Sequence, residues 1–192
     1  MYTEETLLAA LRIRDNDAFQ YLFDTYSDKI YRVAIGLLEN EAEAEGVVQD
    51  SFLKLFQKLD QFEGRSKIST WLYRVAYNLS IDRLRRRRPT VSMDIEDDEE
   101  TLPVPVCMAD WSQWPERILS QSEVKAELDK AIAALPKKYR IIFMLREIEE
   151  LSTKEAAKIA DISESAAKVR LHRARLFLRE HLSESLMQRV GG

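Results

Sequence analysis

Two groups of side chains in this sequence are suited to holding a polyanion. The first lies within residues 163–179, SESAAKVRLHRARLFLR. At helical spacing Ser165, Lys168, Val169, His172 and Arg173 fall on one face, with Arg170 and Arg175 at its flanks. Arginine and lysine pair with guanine O6 and N7, and an apolar valine touches a thymine methyl, so this face suits the major groove of DNA. Residues nearer its rim would meet phosphate oxygens and fix register. Only Glu164 and Glu180 oppose Lys168, Arg170, Arg173, Arg175 and Arg179, which argues against an ordinary solvated face. No partner ligand stands near His172 in sequence, so it reads as a base or phosphate contact and not as a metal ligand.

The second group lies within residues 69–88, STWLYRVAYNLSIDRLRRRR. Helical spacing puts Leu72, Val75, Ala76 and Leu79 on a buried stripe. Trp71, Arg74, Tyr77, Asn78, Asp82 and Arg85 then share the remaining face. Rings offer stacking platforms to unpaired bases, worth roughly 1–3 kcal/mol each, and arginines hold the phosphates. Trp71 and Tyr73 could equally be core aromatics of a small bundle. The four arginines Arg85–Arg88 cannot be core, and they favour the nucleic-acid reading.

The elements that position these groups are helical. Glycine and proline number five each among 192 residues, too few for the frequent turns of an all-β chain. The expected fold class is all-α, with two small helical domains joined by an acidic, partly extended linker. In the N-terminal domain (1–90) helices are expected at about 3–14, 16–38, 41–60 and 69–88, the last capped by Ser69 or Thr70. On the third, Val48, Phe52, Leu55, Phe56 and Leu59 share an inward face. Gln49, Asp50, Leu53, Lys54 and Gln57 lie opposite and suit helix-to-helix docking. The linker (91–115) carries an acidic run from Asp94 to Glu100 with Val104, Val106, Met108, Trp111 and Trp114. Those apolar residues should pack on something, in this chain or a partner. The C-terminal domain (116–192) should contain helices at about 116–134 and 137–150, the latter apolar over most of its circumference. A helix-turn-helix follows: Ser152 and Glu155 form a capping box, Asp161-Ile162-Ser163 make the turn, and Ala167, Leu171, Ala174 and Leu178 face inward.

Charge follows the same division. Residues 1–62 carry 6 basic and 12 acidic side chains, 63–90 carry 8 and 2, 91–118 carry 1 and 8, and 119–192 carry 14 and 11, for a net −4. A polyanion would meet two basic patches behind acidic surfaces. With one cysteine, Cys107, no internal disulfide can form. Two histidines do not make a metal centre, and the 94–100 acidic run lacks the ligand spacing of a calcium loop. No nucleophile, paired-carboxylate or glycine-rich phosphate constellation is present, so no catalytic residue, cofactor or small-molecule substrate is expected. No stretch approaches 18 uninterrupted apolar residues. The acidic, amphipathic start is unlike a secretory signal, and a cytoplasmic location is expected.

Taken together and in order, these segments resemble the extracytoplasmic-function sigma factors, the compact two-domain class of bacterial transcription initiation factors. DAFQYLFDTYSDKIYRVA (17–34) resembles the start of their first domain, and EAEGVVQDSFLKLFQKL (43–59) their polymerase-docking segment. FEGRSKISTWLYRVAYNLSIDRLRRRR (62–88) resembles the promoter-melting and −10-reading segment, and ALPKKYRIIFMLREIEELSTKEAAKIADISESAAKVRLHRARLFLRE (134–180) the −35-reading domain.

The resemblance implies that Gln49, Asp50, Leu53, Lys54 and Gln57 meet core RNA polymerase at the clamp helices of its β′ subunit, while the second domain meets the β flap. The 63–68 loop, with Arg65, Ser66 and Lys67, would cradle a flipped −10 base, and Asn78 would read another. Trp71, Tyr73, Arg74 and Tyr77 would lie near the melted strand, and Arg83, Arg85 and Arg86 on its phosphates. Ser165, Lys168, Val169, Arg170, His172, Arg173 and Arg175 would serve the −35 element. An anti-sigma factor, of a kind often membrane-anchored or zinc-containing, would hold the protein inactive. Where many relatives enter the recognition helix with Gly-Thr-Val, this chain has Ser165-Ala166-Ala167, a stiffer entry that leaves the exact −35 preference open. The competing reading is a stand-alone helix-turn-helix regulator, which explains the C-terminal motif but not Trp71, Tyr77 and Arg85–Arg88.

Overall fold

The computed structural model describes residues 2–62, 64, 66–87 and 122–190, and the side chains among them except 122–125 and 183–190. These residues form eight α-helices and no strand: α1 Glu4–Arg12, α2 Asn16–Leu38, α3 Glu41–Lys58, α4 Ile68–Arg87, α5 Ser122–Ala134, α6 Lys137–Phe143, α7 Thr153–Ala160 and α8 Glu164–Val190. The linker expected at 91–115 lies outside the described residues, and with it Cys107, Trp111 and Trp114.

Local signals set the N-terminal helices. Asp15 caps α2 by accepting from the Ala18 amide at 2.9 Å, and Asn40 caps α3 by accepting from Glu43 at 2.9 Å. Between them Glu39 adopts the left-handed conformation and ends α2. Helices α2, α3 and α4 then bury Leu22, Ile30, Leu38, Leu55, Leu72 and Ala76 in one core. Ser51 and Ser80 sit in that core because each hydroxyl donates back to a carbonyl one turn earlier. Phe56 does not join them: expected inward, it stays half exposed, its ring 5.4 Å from Phe19 with the Arg14 guanidinium above it. The 3₁₀ turn Leu59–Gln61 follows α3, and Leu59 and Phe62 are buried.

In the C-terminal body Ile141, Ile142 and Phe143 of α6, with Met144 and Leu145 just beyond it, are all buried, while Lys137, Lys138 and Tyr139 at its start are half buried. The helix widens into a π-type turn over Met144–Ile148 and stops there, with Glu150 left-handed. The helix-turn-helix follows, the short α7 and the long α8 held close by Ala156, Ala160, Ala167 and Ala174, each buried.

The two bodies touch. Val33 and Leu37 of α2 and Tyr73, Tyr77 and Ile81 of α4 belong to the same buried cluster as the core of the C-terminal body.

Candidate nucleic-acid interface

Helix α4 is not capped by Ser69 or Thr70. It begins at Ile68, and the Ile68 amide donates to the Glu4 carboxylate of α1 at 2.6 Å. Ser69 and Thr70 lie inside the first turn and are buried. A charged acceptor from another helix displaces the local cap because it meets the orphan amide with a full negative charge at a helix N-terminus. The face expected outward is divided. Arg74, Asn78, Asp82, Arg85 and Arg86 are exposed. Trp71 is half buried, edge-on to Phe62 with centroids 6.4 Å apart.

Tyr73 and Tyr77, expected near a melted strand, are covered at 2% and 6% exposure. Helix α7 packs on this side of α4 and takes the place of solvent. The Tyr73 hydroxyl donates to Glu149 Oε2 at 2.7 Å. Burial first, then Glu149, raises its pKa far above the ordinary value of 10. Burial also raises Tyr77, against the lowering influence of Arg170 and Arg85.

Arg83 was expected on phosphates and faces inward instead. It donates to the Glu43 carbonyl and, at 2.6 Å, to Asp50 Oδ2. Its path runs against Gly46, where an added Cβ would come within 2.6 Å of the guanidinium. Arg87 likewise reaches Glu43 Oε1 at 2.7 Å and the Leu38 carbonyl at 3.1 Å. The physical reason is that α3 presents an acidic edge directly across from the arginine end of α4. Within the 63–68 loop, Gly64 holds φ +71, Ser66 is half buried and Lys67 exposed; Arg65 and Arg88 lie outside the described residues.

The helix-turn-helix forms as its local signals require. The Ser152 hydroxyl accepts from the Glu155 amide at 3.2 Å; the Glu155 carboxylate accepts from the Ser152 hydroxyl at 2.6 Å and from the Ser152 amide at 2.9 Å, and these two bonds lower its pKa. Asp161 is left-handed at the turn, and Ser163 caps α8 by accepting from Ala166 at 3.1 Å. On α8, Ser165 and Lys168 are exposed, and Val169, His172 and Arg173 half buried. The Arg173 guanidinium donates to the Tyr139 hydroxyl at 3.1 Å. Two flanking residues depart from expectation. Arg170 is 8% exposed and lies close enough to Tyr77 to influence its titration. Arg175 pairs with Glu147 at 2.7 Å, so much of its charge is directed inward.

The outer face of α3 carries Gln49, Leu53, Lys54 and Gln57, all exposed, with Asp50 half buried in its bond to Arg83. Phe56, which sequence periodicity assigns inward, adds apolar area to this face, and Phe23 of α2 is about as exposed. The i, i+3 spacing of Leu53 and Phe56 is the signal that could have found it. Sequence reading also missed Arg32, Arg140 and Glu149. A lone arginine within the apolar run YRIIFML was the available sign. Among the described residues no group of three or more His, Cys, Asp or Glu side chains could hold a metal ion, and no helix is long and apolar enough to cross a membrane.

Two family models match this chain: Sigma-70 region 2 over residues 22–90, and Sigma-70, region 4, over residues 125–178. The ECF RNA polymerase sigma factor SigW of Bacillus subtilis is 37% identical over 172 residues, covering 88% of this chain and 91% of that protein. The chain belongs to the ECF sigma factors. The RNA polymerase sigma-H factor of Pseudomonas aeruginosa is 31% identical and covers 90% of each chain. Among solved structures, the sigma factor RpoE of Bartonella quintana, crystallised with the anti-sigma factor NepR, superposes with a TM-score of 0.63 at 25% identity, covering 86% of this chain and 96% of that one. CnrH, solved with the cytosolic domain of CnrY, shares the fold with a TM-score of 0.65 at 23% identity over 94% of this sigma factor and 97% of that chain. Region 2 accounts for the N-terminal body that a stand-alone helix-turn-helix regulator leaves unexplained, and this sigma factor is not read as one.

Proposed function

We propose that this ECF sigma factor recruits core RNA polymerase to promoters through residues 1–90, reads the −35 element through residues 116–192, and uses 91–115 as the acidic connection between them. The observation that carries this reading is the pairing of two basic, promoter-suited surfaces on one chain: the exposed edge of α4 and the exposed face of α8. Ser165, Lys168, Val169, His172 and Arg173 offer base contacts in the major groove, with Arg170 and Arg175 as supports of that helix. Asn78, Arg74, Lys67 and Trp71 serve the −10 element, with Arg85 and Arg86 on its phosphates. Gln49, Leu53, Lys54 and Gln57 dock on the polymerase. The chemistry of RNA synthesis belongs to the polymerase, and the sigma factor acts in the cytoplasm, where its promoters are.

A chain of net charge −4 binds duplex DNA weakly alone. Docking on polymerase fixes both domains at the promoter spacing and raises their effective concentration at the DNA. An anti-sigma factor holds the protein in reserve, a role supported by the likeness to RpoE in its complex with NepR.

Run-off transcription by bacterial core polymerase on a randomised promoter library tests the reading, with transcript starts sequenced. New starts sharing paired −35 and −10 motifs are expected. Lys168→Ala and Arg173→Ala should blur the −35 motif alone, and Asn78→Ala the −10 motif alone. Absence of new starts with folded protein and a cognate polymerase would overturn it.

A further inference from the structure

Helix α1 carries none of the residues assigned above to polymerase or promoter, yet it grips both ends of the loop between Phe62 and Ile68. The Glu4 carboxylate accepts from the Ile68 amide at 2.6 Å, where α4 begins. At the other end of α1 the Arg12 guanidinium donates to the Phe62 carbonyl at 2.9 Å, just before the loop. Arg14, past the end of α1, donates to the Phe56 carbonyl at 2.7 Å and to Asp60 Oδ2 at 3.1 Å. The loop also passes close to this helix: a Cβ on Gly64, which holds φ +71, would stand 3.7 Å from Leu8 Cδ2.

The helix is itself firmly held. Thr3 and Thr6 close a reciprocal cap on its first turn. Leu7 and Leu11 are buried in the core shared with α2, α3 and α4. Glu4 and Arg12 therefore act from a fixed base. The charge on Glu4 excludes a direct role on nucleic acid, because a carboxylate repels the phosphates of a strand. Its place answers another need. The first turns of α1 and α4 converge on it, and each helix N-terminus carries partial positive charge from its orphan amides. Two such ends repel when brought together, and one carboxylate between them favours both.

We propose that α1 is the positioning element of the −10 surface, with Glu4 and Arg12 as positioning residues that fix the two ends of the loop and so the place where an unpaired base is received. Neither side chain touches the base. Each acts through the backbone it holds. A binding pocket discriminates only when its walls are held to a fraction of an ångström, and a loop tethered at both ends by an independent helix meets that need. Trp71 stands edge-on to the same Phe62 whose carbonyl Arg12 holds, so the exposed part of its ring belongs to this frame. The inference rests on reading the 63–68 loop and α4 as the −10 surface.

Amide exchange and promoter selection test it together, on the full-length chain and on its holoenzyme with core polymerase. Exchange followed by NMR reads the cap directly. Glu4→Ala should speed exchange of the Ile68 amide at least about tenfold. Glu4→Gln keeps an acceptor oxygen and should hold that rate within about threefold of the parent. In the run-off library Glu4→Ala and Arg12→Ala should each blur one position of the −10 motif. It should be the same position for both, and one that Asn78→Ala leaves sharp. Discrimination there should fall at least about fivefold, a mismatched base ordinarily costing roughly 5- to 150-fold. The −35 motif should stay sharp, and Glu4→Gln should keep the −10 position that Glu4→Ala loses. Arg12→Ala and Glu4→Gln keep the test decisive where Glu4→Ala loosens α1 as a whole. A merely structural role would lower transcript yield at every promoter and leave all preferences intact.

Unchanged Ile68 exchange in Glu4→Ala would overturn the cap. Faster exchange with both motifs intact, or with every position of both motifs blurred together, would overturn the positioning role. A parent holoenzyme that yields no −10 motif, or one indifferent to Asn78→Ala, would overturn the promoter reading and this inference with it, while exchange at Ile68 still decides the cap.

Discussion

Arg83 and its neighbours Arg85 and Arg86 stand within four residues of one another on α4 and do different work. Arg83 is turned to Asp50 and the Glu43 carbonyl, so it fastens α4 to α3. Arg85 and Arg86 face solvent. Hydrogen bonds to charged groups contribute about 1.5–3 kcal/mol, discounted here because Asp50 is 45% exposed. Arg83→Ala should therefore lower the melting temperature of region 2 and leave the salt dependence of strand binding unchanged. Arg85→Ala and Arg86→Ala should leave melting unchanged and each reduce the slope of log affinity against log salt by about 0.7, the single-strand value per phosphate contact. Thermal unfolding and a salt titration on the same three variants decide it. A loss of slope in Arg83→Ala would return that residue to the phosphates.

At the scale of elements, the helix-turn-helix is a unit built from strong local signals on a weak core. Alanines at the crossing let α7 and α8 approach closely but bury little area each, so the capping box on α7 matters more than it would in a larger domain. Ser152→Ala removes one half of that box and should cost about 1 kcal/mol. Ile142, fully buried on α6, anchors the hairpin from behind, and Ile142→Ala should cost about 2–5 kcal/mol through lost burial and the cavity left. Denaturant unfolding of the two variants checks the order. Because α7 packs on both α8 and the Tyr73 and Tyr77 side of α4, the proposed reading of the −35 element by α8 implies that Ser152→Ala should also weaken −35 selection in the run-off assay.

At the scale of the whole molecule, the contact between the bodies is where charge and pH meet. Glu39 accepts a hydrogen bond from Arg140, and that bond, with Lys137 and Arg140 as nearby cations, holds its pKa below the ordinary 4.5. A carboxylate whose folded pKa is lowered contributes stability above its unfolded value and loses it as pH falls through the folded one. The contact between the two bodies should thus be firm at neutral pH and lose this contribution progressively below about pH 4.5. Glu39→Gln should flatten that part of the curve when melting temperature is followed from pH 7 to pH 3 at fixed ionic strength. An unchanged curve would mean that the Arg140 bridge to Glu39 contributes nothing to stability.

The sequence by itself determined the helices, the division into two bodies and the helix-turn-helix. It did so because caps such as Asp15, Asn40, Ser152 and Ser163, and apolar spacing such as Ala167-Leu171-Ala174-Leu178, act within a few residues of chain. It also marked Lys168, Asn78, Leu53 and Gln57 as outward, since a helical face with polar neighbours has little else to do. Tertiary structure alone decided the fate of Tyr73, Tyr77, Arg83 and Arg170. Amphipathic rings and long guanidinium stems suit water, a nucleic acid or a neighbouring helix about equally. Only the placement of α7 against α4, and of the acidic edge of α3 beside Arg83, determines which they meet. Glu4 on the Ile68 amide is the same case in small: a cap 64 residues away in sequence, supplied by a helix that packing brings to it.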